Sequence, residues 1–214
     1  MKIGILGSGG VAQTLAAGFL KHGHAVVMGT RSPDTLAAFA AEHPGLAVGS
    51  VADAAGAGEL LVLAVKGRAA VDVLRAAGAT RLAGKTVIDT TNPMADTPPV
   101  NGVAQFFTGP NDSLLERLQG EFPAANLVKA FNSVGAASMV NPQFAGGPPT
   151  MFIAGNDVAA RAEVSGILAQ FGWEVADMGR AEAARAIEPL AMLWCIPGFA
   201  NNQWGHAFKL LHKA

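Results

Sequence analysis

The stretch "KIGILGSGGVAQTLAAGFL", residues 2–20, decides the fold. Lys2 to Leu6 read as a short buried strand, and from Val11 onward apolar residues recur at helical spacing. Between the two lies Gly7-Ser8-Gly9-Gly10-Val11-Ala12, a G-x-G-x-x-A loop joining a strand to a helix. Each small residue has a physical reason there. Gly7 permits a tight turn, Gly9 lets backbone amides approach a pyrophosphate, and Ala12 lets the helix pack close to the strand. The helix start adds unpaired N–H groups and partial positive charge. Gly7, Ser8, Gly9, Gly10 and Val11 are therefore the expected cradle of a dinucleotide.

Outward from this loop, short β-rich runs alternate with alanine-rich helical patterns. Strands are expected at Ala25 to Gly29, weakly at Leu46 to Val48, then at Leu60 to Val65, Thr86 to Asp89, Asn126 to Ala130, Met151 to Ala154 and Glu174 to Asp177. Helical patterns fall in "VAQTLAAGFLKHG", "PDTLAAFAAEH", "GRAAVDVLRAAG", "SLLERLQ" and "VAARAEVSGILAQFG". The alternation predicts an α/β class: a doubly wound (Rossmann), mostly parallel sheet with a short helical C-terminal extension. We divide the chain into a binding domain at 1–180 and a helical segment at 181–214. The latter carries His206 and His212 in its last helix and serves as pocket cover or dimer contact. Within it, Glu188 and Arg185 are spaced to pair with each other.

"VVMGTRSPDT", residues 26–35, sets the cofactor. A carboxylate at the end of the second strand would accept hydrogen bonds from the ribose of NAD. Here Gly29 and Thr30 stand in its place, and Thr30, Arg31 and Ser32 offer two hydroxyls and a guanidinium to a 2′-phosphate, so NADP(H) is expected. The plainer alternative is that Ser32 N-caps the helix begun by Pro33 while Arg31 forms a solvated surface pair.

Residues at the carboxyl ends of the later strands line the rest of the crevice in such a fold. Ala64 and Val65 are small enough to lie against adenosine or ribose, and Lys66 is placed to reach a phosphate. Asn92 and Pro93 suit a fixed turn at the nicotinamide ribose or carboxamide. Asn132 and Ser133 are the candidate polar contacts near the reacting carbon. No histidine follows a strand at the switch point, and neither a metal-ligand spacing nor a nucleophile signature is found. A cofactor site without an evident acid or base suits direct hydride transfer to an acceptor whose own ring absorbs the change, with positioning as the source of catalysis.

Composition narrows the partners. Fifteen Lys and Arg against 16 Asp and Glu give a formal charge of -1, with no basic field for nucleic acid or an anionic membrane. The apolar "PLAMLWCIPGFA" at 189–200 holds two prolines and is too short to span a bilayer. A single cysteine, Cys195, excludes an intrachain disulfide, and a cytoplasmic location is expected.

The glycine loop with its "MGTRSP" continuation, and "TTNP" after a strand, resemble the deazaflavin-dependent NADP reductases, which move hydride between NADP(H) and coenzyme F-420. The resemblance implies pyrophosphate binding by Gly7 to Val11, 2′-phosphate binding by Thr30, Arg31 and Ser32, and F-420 as small-molecule co-substrate lying under the C-terminal segment. Trp194, Phe199 and Trp204 offer either a platform for a flat ring or core and dimer contacts. A homodimer completing the pocket is expected, with 189–200 as its interface. Two alternatives stay open: an NADP(H)-sensing protein without turnover, and a reductase of a small imine or carbonyl using Ser133, Lys129 or water as proton donor. Arg31→Ala is expected to weaken NADPH binding about tenfold or more and leave NADH nearly unchanged, as measured by fluorescence titration of both cofactors.

Overall fold

The computed structural model describes residues 1–213. Its strands are β1 (Lys2–Leu6), β2 (Ala25–Gly29), β3 (Leu46–Gly49), β4 (Leu60–Leu63), β5 (Thr86–Asp89), β6 (Asn126–Lys129), β7 (Thr150–Gly155) and β8 (Glu174–Asp177). The α-helices are α1 (Gly10–Lys21), α2 (Ala37–Glu42), α3 (Val51–Ala57), α4 (Ala70–Ala77), α5 (Ala79–Leu82), α6 (Leu114–Glu121), α7 (Val158–Gln170) and α8 (Ala184–Asn201). The strands form one sheet in the order β3-β2-β1-β4-β5-β6-β7-β8. All neighbours are parallel except β6 and β7. The chain thus reverses its winding direction between β1 and β4, and a crevice opens there at the carboxyl ends of the strands.

Both faces of the sheet are covered, which is why its central strands are apolar without alternation. In β4, Leu60 and Val62 join Ile3, Ile5 and Met28 under α1 and α7, while Leu61 and Leu63 join Val87 and Leu127 under α3, α4 and α6. The helix α3 was not foreseen from its apolar pattern. Its signal is a capping box, in which the Ser50 side chain accepts from the Asp53 N–H and Asp53 accepts from the Ser50 N–H. The expected strand ends at Val65 and Ala130 fall short, so Ala64, Val65 and Ala130 belong to the loops above the sheet.

The C-terminal segment departs from expectation. Helix α8 stops where Asn202 adopts a left-handed conformation, φ 54°. Beyond it the tail turns back, so His206 and His212 lie in non-helical chain and not in a last helix. The Thr150 N–H donates to the Phe208 carbonyl at 2.9 Å, and Lys209 Nζ contacts Glu174 at 2.7 Å. Trp194 fastens the tail. Its Nε1 donates to the His206 carbonyl at 2.8 Å, its ring stacks on the His206 imidazole at 5.1 Å, and His206 Nε2 lies 3.0 Å from the Trp194 carbonyl. Trp204 in turn lies flat on α8, where a Cβ on Gly198 would sit 2.2 Å from its ring. Trp194→Ala should cost about 3–5 kcal/mol and lower the thermal midpoint by at least about 6 °C, read by scanning calorimetry.

Candidate active site

The glycine loop is built as a cradle. Gly7 has φ 144°, and a Cβ there would stand 2.2 Å from the Ala64 carbonyl oxygen, so only glycine joins β1 to the loop this closely. Its N–H donates to the Gly29 carbonyl at 2.9 Å, tying the ends of β1 and β2 together. By contrast, a Cβ on Gly9 or Gly10 would meet nothing within 4 Å. The space above the start of α1 is open, Gly9 caps the helix without a side chain, and the first turn holds no acid. These unpaired N–H groups and the helix dipole fit an anion. Ala12 is fully buried against the sheet.

The loop after β2 joins this cradle. Thr30 Oγ1 donates to Ser8 Oγ at 3.3 Å and accepts the Ser32 N–H at 3.2 Å. Ser32 stands at the N-cap position of a short turn, yet its hydroxyl makes no cap bond. Arg31 is exposed and forms no salt bridge among the described residues. The plainer alternative, a capping Ser32 beside a paired Arg31, is therefore not what the structure contains. An unpaired guanidinium and a free hydroxyl beside an anion-binding helix start fit the 2′-phosphate of NADP(H).

Across the switch point, Ala64 is buried, Val65 flanks Gly7, and Lys66 is exposed at the start of a 3-10 turn. Further along, the loops after β5 and β6 meet. Asn92 Nδ2 donates to the Asn132 carbonyl at 2.8 Å, and Asn132 Nδ2 donates to Asn92 Oδ1 at 3.3 Å and to the Ile187 carbonyl at 3.0 Å. Asn132 Oδ1 is buried with no partner. Ser133 is buried beside it, and Pro93 is buried on the opposite loop. The turn into Asn132 is strained: Phe131 has φ 61°, an uncommon conformation for a bulky residue and one that clusters at functional sites. Trp194 reaches the same loop, since a Cβ on Gly135 would lie 3.0 Å from its ring.

Beneath the loops lies a charge cluster that the sequence did not reveal. Lys129 Nζ is 2.7 Å from Asp89 Oδ2 and 3.0 Å from Glu188 Oε1, with all three side chains at 2% exposure or less. The same Nζ donates to the Thr91 carbonyl at 2.8 Å, whereas Asp89 Oδ2 faces it as an ion pair without an aligned hydrogen bond. Glu188 also accepts the N–H groups of Leu114 and Leu115, at 2.9 and 3.0 Å, at the start of α6. The expected pairing of Glu188 with Arg185 does not occur. Helix α8 turns Glu188 inward to Lys129 and Arg185 outward to Glu116 at 2.5 Å. Burial would push the Lys129 ammonium down, but Asp89 and Glu188 reverse this and hold it above the usual lysine value. It keeps its proton through the neutral range and is a poor proton donor.

The aromatic trio of the C-terminal segment forms a cluster within the chain. Trp194 is buried, and Phe199 packs edge-on to Trp204 at 5.3 Å, both partly exposed. Among the described residues no group of His, Cys, Asp and Glu has a metal-binding arrangement, and no helix is long and apolar enough to cross a membrane.

A switch-point crevice with an open glycine loop, an uncapped helix start and a free arginine defines a dinucleotide-dependent redox protein. The description "NADP oxidoreductase, coenzyme F420-dependent" matches over residues 2–93. A crystal structure at 1.70 Å of a candidate F420-dependent NADP-reductase from Arthrobacter sp. FB24 is 36% identical, with TM-score 0.93, and the match covers 99% of this chain and 100% of that one. The chain belongs to the coenzyme F420-dependent NADP oxidoreductase family, and its class is that of NADP-dependent oxidoreductases. Metalloreductase STEAP3 of Rattus norvegicus is 32% identical over 202 residues, covering 92% of this chain, which spans 38% of that protein's length. An imine reductase from Aspergillus terreus, in complex with NADPH4 and dibenz[c,e]azepine, shares the fold at 21% identity and TM-score 0.67, over 90% of this chain and 60% of that one.

Gly9→Val is expected to abolish binding of NADPH and NADH alike while leaving the thermal midpoint nearly unchanged, because the added carbons enter space that the protein itself leaves open. Titration of both cofactors beside a melting curve checks both halves of this expectation.

Proposed function

We propose that this protein transfers hydride between NADP(H) and a flat redox acceptor of the deazaflavin type, coenzyme F420 being the leading candidate. One observation carries the reading: an anion cradle with an unpaired Arg31 at one end of the crevice faces, at the other, the Asn92–Asn132 amide pair, beneath which the buried Lys129 is held by Asp89 and Glu188. Gly7, Ser8, Gly9, Gly10 and Val11 hold the pyrophosphate, and Thr30, Arg31 and Ser32 hold the 2′-phosphate. Ala64, Val65 and Lys66 line the middle of the crevice, while Asn92, Pro93, Asn132 and Ser133 meet the nicotinamide end. NADP(H), when bound, supplies or receives the hydride. The chain's own contribution is placement, since Lys129, Asp89 and Glu188 are engaged with one another below the loops. A reductase of imines or carbonyls would need a proton donor, and with Lys129 committed elsewhere that role falls to Ser133 or water.

The acceptor pocket is completed by a second copy of the chain in a cytoplasmic homodimer. Support comes from exposed Leu193 and Phe199 on α8 and from Val100 and Val103 on a loop packed against it, where a Cβ on Gly102 would meet Ala200 at 3.4 Å.

The test is the absorbance decay of NADPH with coenzyme F420, free flavin, a quinone and an iron(III) chelate as separate acceptors, with NADH run in parallel. Turnover with F420 and NADPH at least about tenfold above the other combinations is expected. Turnover with the iron chelate alone would favour a metal reductase, and NADPH binding without turnover a cofactor sensor.

A further inference from the structure

Lys129, Asp89 and Glu188 are buried and charged, and the function proposed above gives none of them a contact. Replacing such a cluster by packed apolar side chains is often neutral or stabilising, so its presence points to what it holds in place. Its partners are the relevant observation. Thr91, whose carbonyl accepts from Lys129 Nζ, immediately precedes Asn92. Glu188 immediately follows Ile187, whose carbonyl accepts from Asn132 Nδ2. Lys129 itself lies at the end of β6, joined to Asn132 through Ala130 and the strained Phe131. Two contacts of the ammonium, Thr91 and Asp89, thus lie one and three residues before Asn92, and the third, Glu188, adjoins the residue whose carbonyl holds Asn132.

Apolar packing of Ile187 and Ala184 holds α8 to the sheet but specifies its rotation and its slide only weakly. Glu188 fixes both, because its two oxygens are held from separate directions by Lys129 and by the first-turn N–H groups of α6. That rotation places the Ile187 carbonyl. With Nδ2 of Asn132 shared between that carbonyl and Asn92 Oδ1, the amide cannot flip, and Oδ1 is left as a buried acceptor without a donor.

We propose that the Lys129–Glu188 ion pair is a positioning unit, which through α8 locks the Asn132 amide so that Oδ1 accepts a hydrogen bond from an N–H donor of the ligand, the carboxamide of the nicotinamide ring. The inference rests on the proposed reading that Asn132 meets the nicotinamide end. Lys129 and Glu188 touch no ligand in this scheme.

The test compares NADPH with 2′,5′-ADP, which has the adenine half and the 2′-phosphate but no nicotinamide. Dissociation constants are measured by calorimetry for the native chain, Asn132→Ala, Glu188→Gln and the double variant. Glu188→Gln leaves the Lys129 ammonium with one carboxylate, so the cluster becomes neutral and the fold is retained. The combined Lys129→Met and Asp89→Asn variant, which also removes the Lys129–Glu188 pair and keeps the cluster at its native charge of one negative unit, takes its place if Glu188→Gln is recovered unfolded. Each single variant is expected to weaken NADPH about tenfold, the size of one hydrogen bond, and to leave 2′,5′-ADP within about twofold. The double variant is expected to bind NADPH no worse than Asn132→Ala alone, since both changes remove one interaction. Equal loss for both ligands, additive losses in the double variant, or a lowered thermal midpoint with unchanged NADPH affinity would overturn the positioning role. If Asn132→Ala itself leaves NADPH unaffected, the nicotinamide reading of Asn132 falls and this inference with it. A loss in Asn132→Ala but none in Glu188→Gln removes only the inference.

Discussion

An ammonium group with no access to water must find its counter-charge inside the protein, and Lys129 is such a group. Removing one ion from water costs several kcal/mol even after relaxation, and only well-placed partners offset it. Here the partners come from β5 and α8, while the surplus negative charge faces the start of α6, whose N–H groups bond Glu188. One charge therefore fixes the relation of four segments. Because folding raises the lysine's proton affinity, the stabilisation is complete below the ordinary lysine range and is lost only as pH climbs through the raised value. Throughout the neutral range the constraint stays intact, and the loops above it are held in one arrangement.

The two ends of the crevice use different physics. At the dinucleotide end, small residues leave space, a helix start leaves donors free, and Arg31 leaves a charge unpaired. At the far end nearly everything is satisfied, and the polar atom left over is Asn132 Oδ1. A formal charge of -1 supplies no long-range field to draw in an anionic cofactor. The features that fit an anion are local: unpaired backbone amides at the start of α1 and the unpaired Arg31 guanidinium.

The first of these ends was legible in the sequence because its signals are local. Gly7, Gly9 and Ala12 declare a tight turn within a few residues, and Arg31 follows its strand directly. The β-rich runs gave all eight strands to within one or two residues, since each is a short apolar segment between helical patterns. The far end was not legible in the same way. Glu188 sits in an apolar helix one turn from Arg185, so spacing alone suggests a pair between them, and only the packing of α8 on α6 and β6 separates their directions. Likewise, nothing in "FANNQWGHAFKLL" marks Asn202 as the residue that turns left-handed and sends His206 back onto Trp194. Helix α3 escaped for the opposite reason: it is short and rich in small residues, and its capping box is the one strong mark it carries.

This asymmetry bears on what the chain acts upon. The family description covers residues 2–93 and ends at the Asn92–Pro93 turn, whereas the likeness to the Arthrobacter structure runs over 99% of the chain. That first span holds the glycine loop, the Arg31 loop and the residues after β4, which together form the proposed dinucleotide end. Asn132, Ser133, Lys129 and the whole of α8 with its returning tail lie beyond it. The loops at the dinucleotide end are short stretches of contiguous sequence. The surface proposed to face the acceptor is assembled from segments distant in sequence and held by contacts such as Trp194 on Gly135 and Glu188 on Lys129. Changes in α8 can therefore re-aim the acceptor side without disturbing the dinucleotide side, so a shared NADP cradle constrains the choice of acceptor far less than it constrains the choice of cofactor.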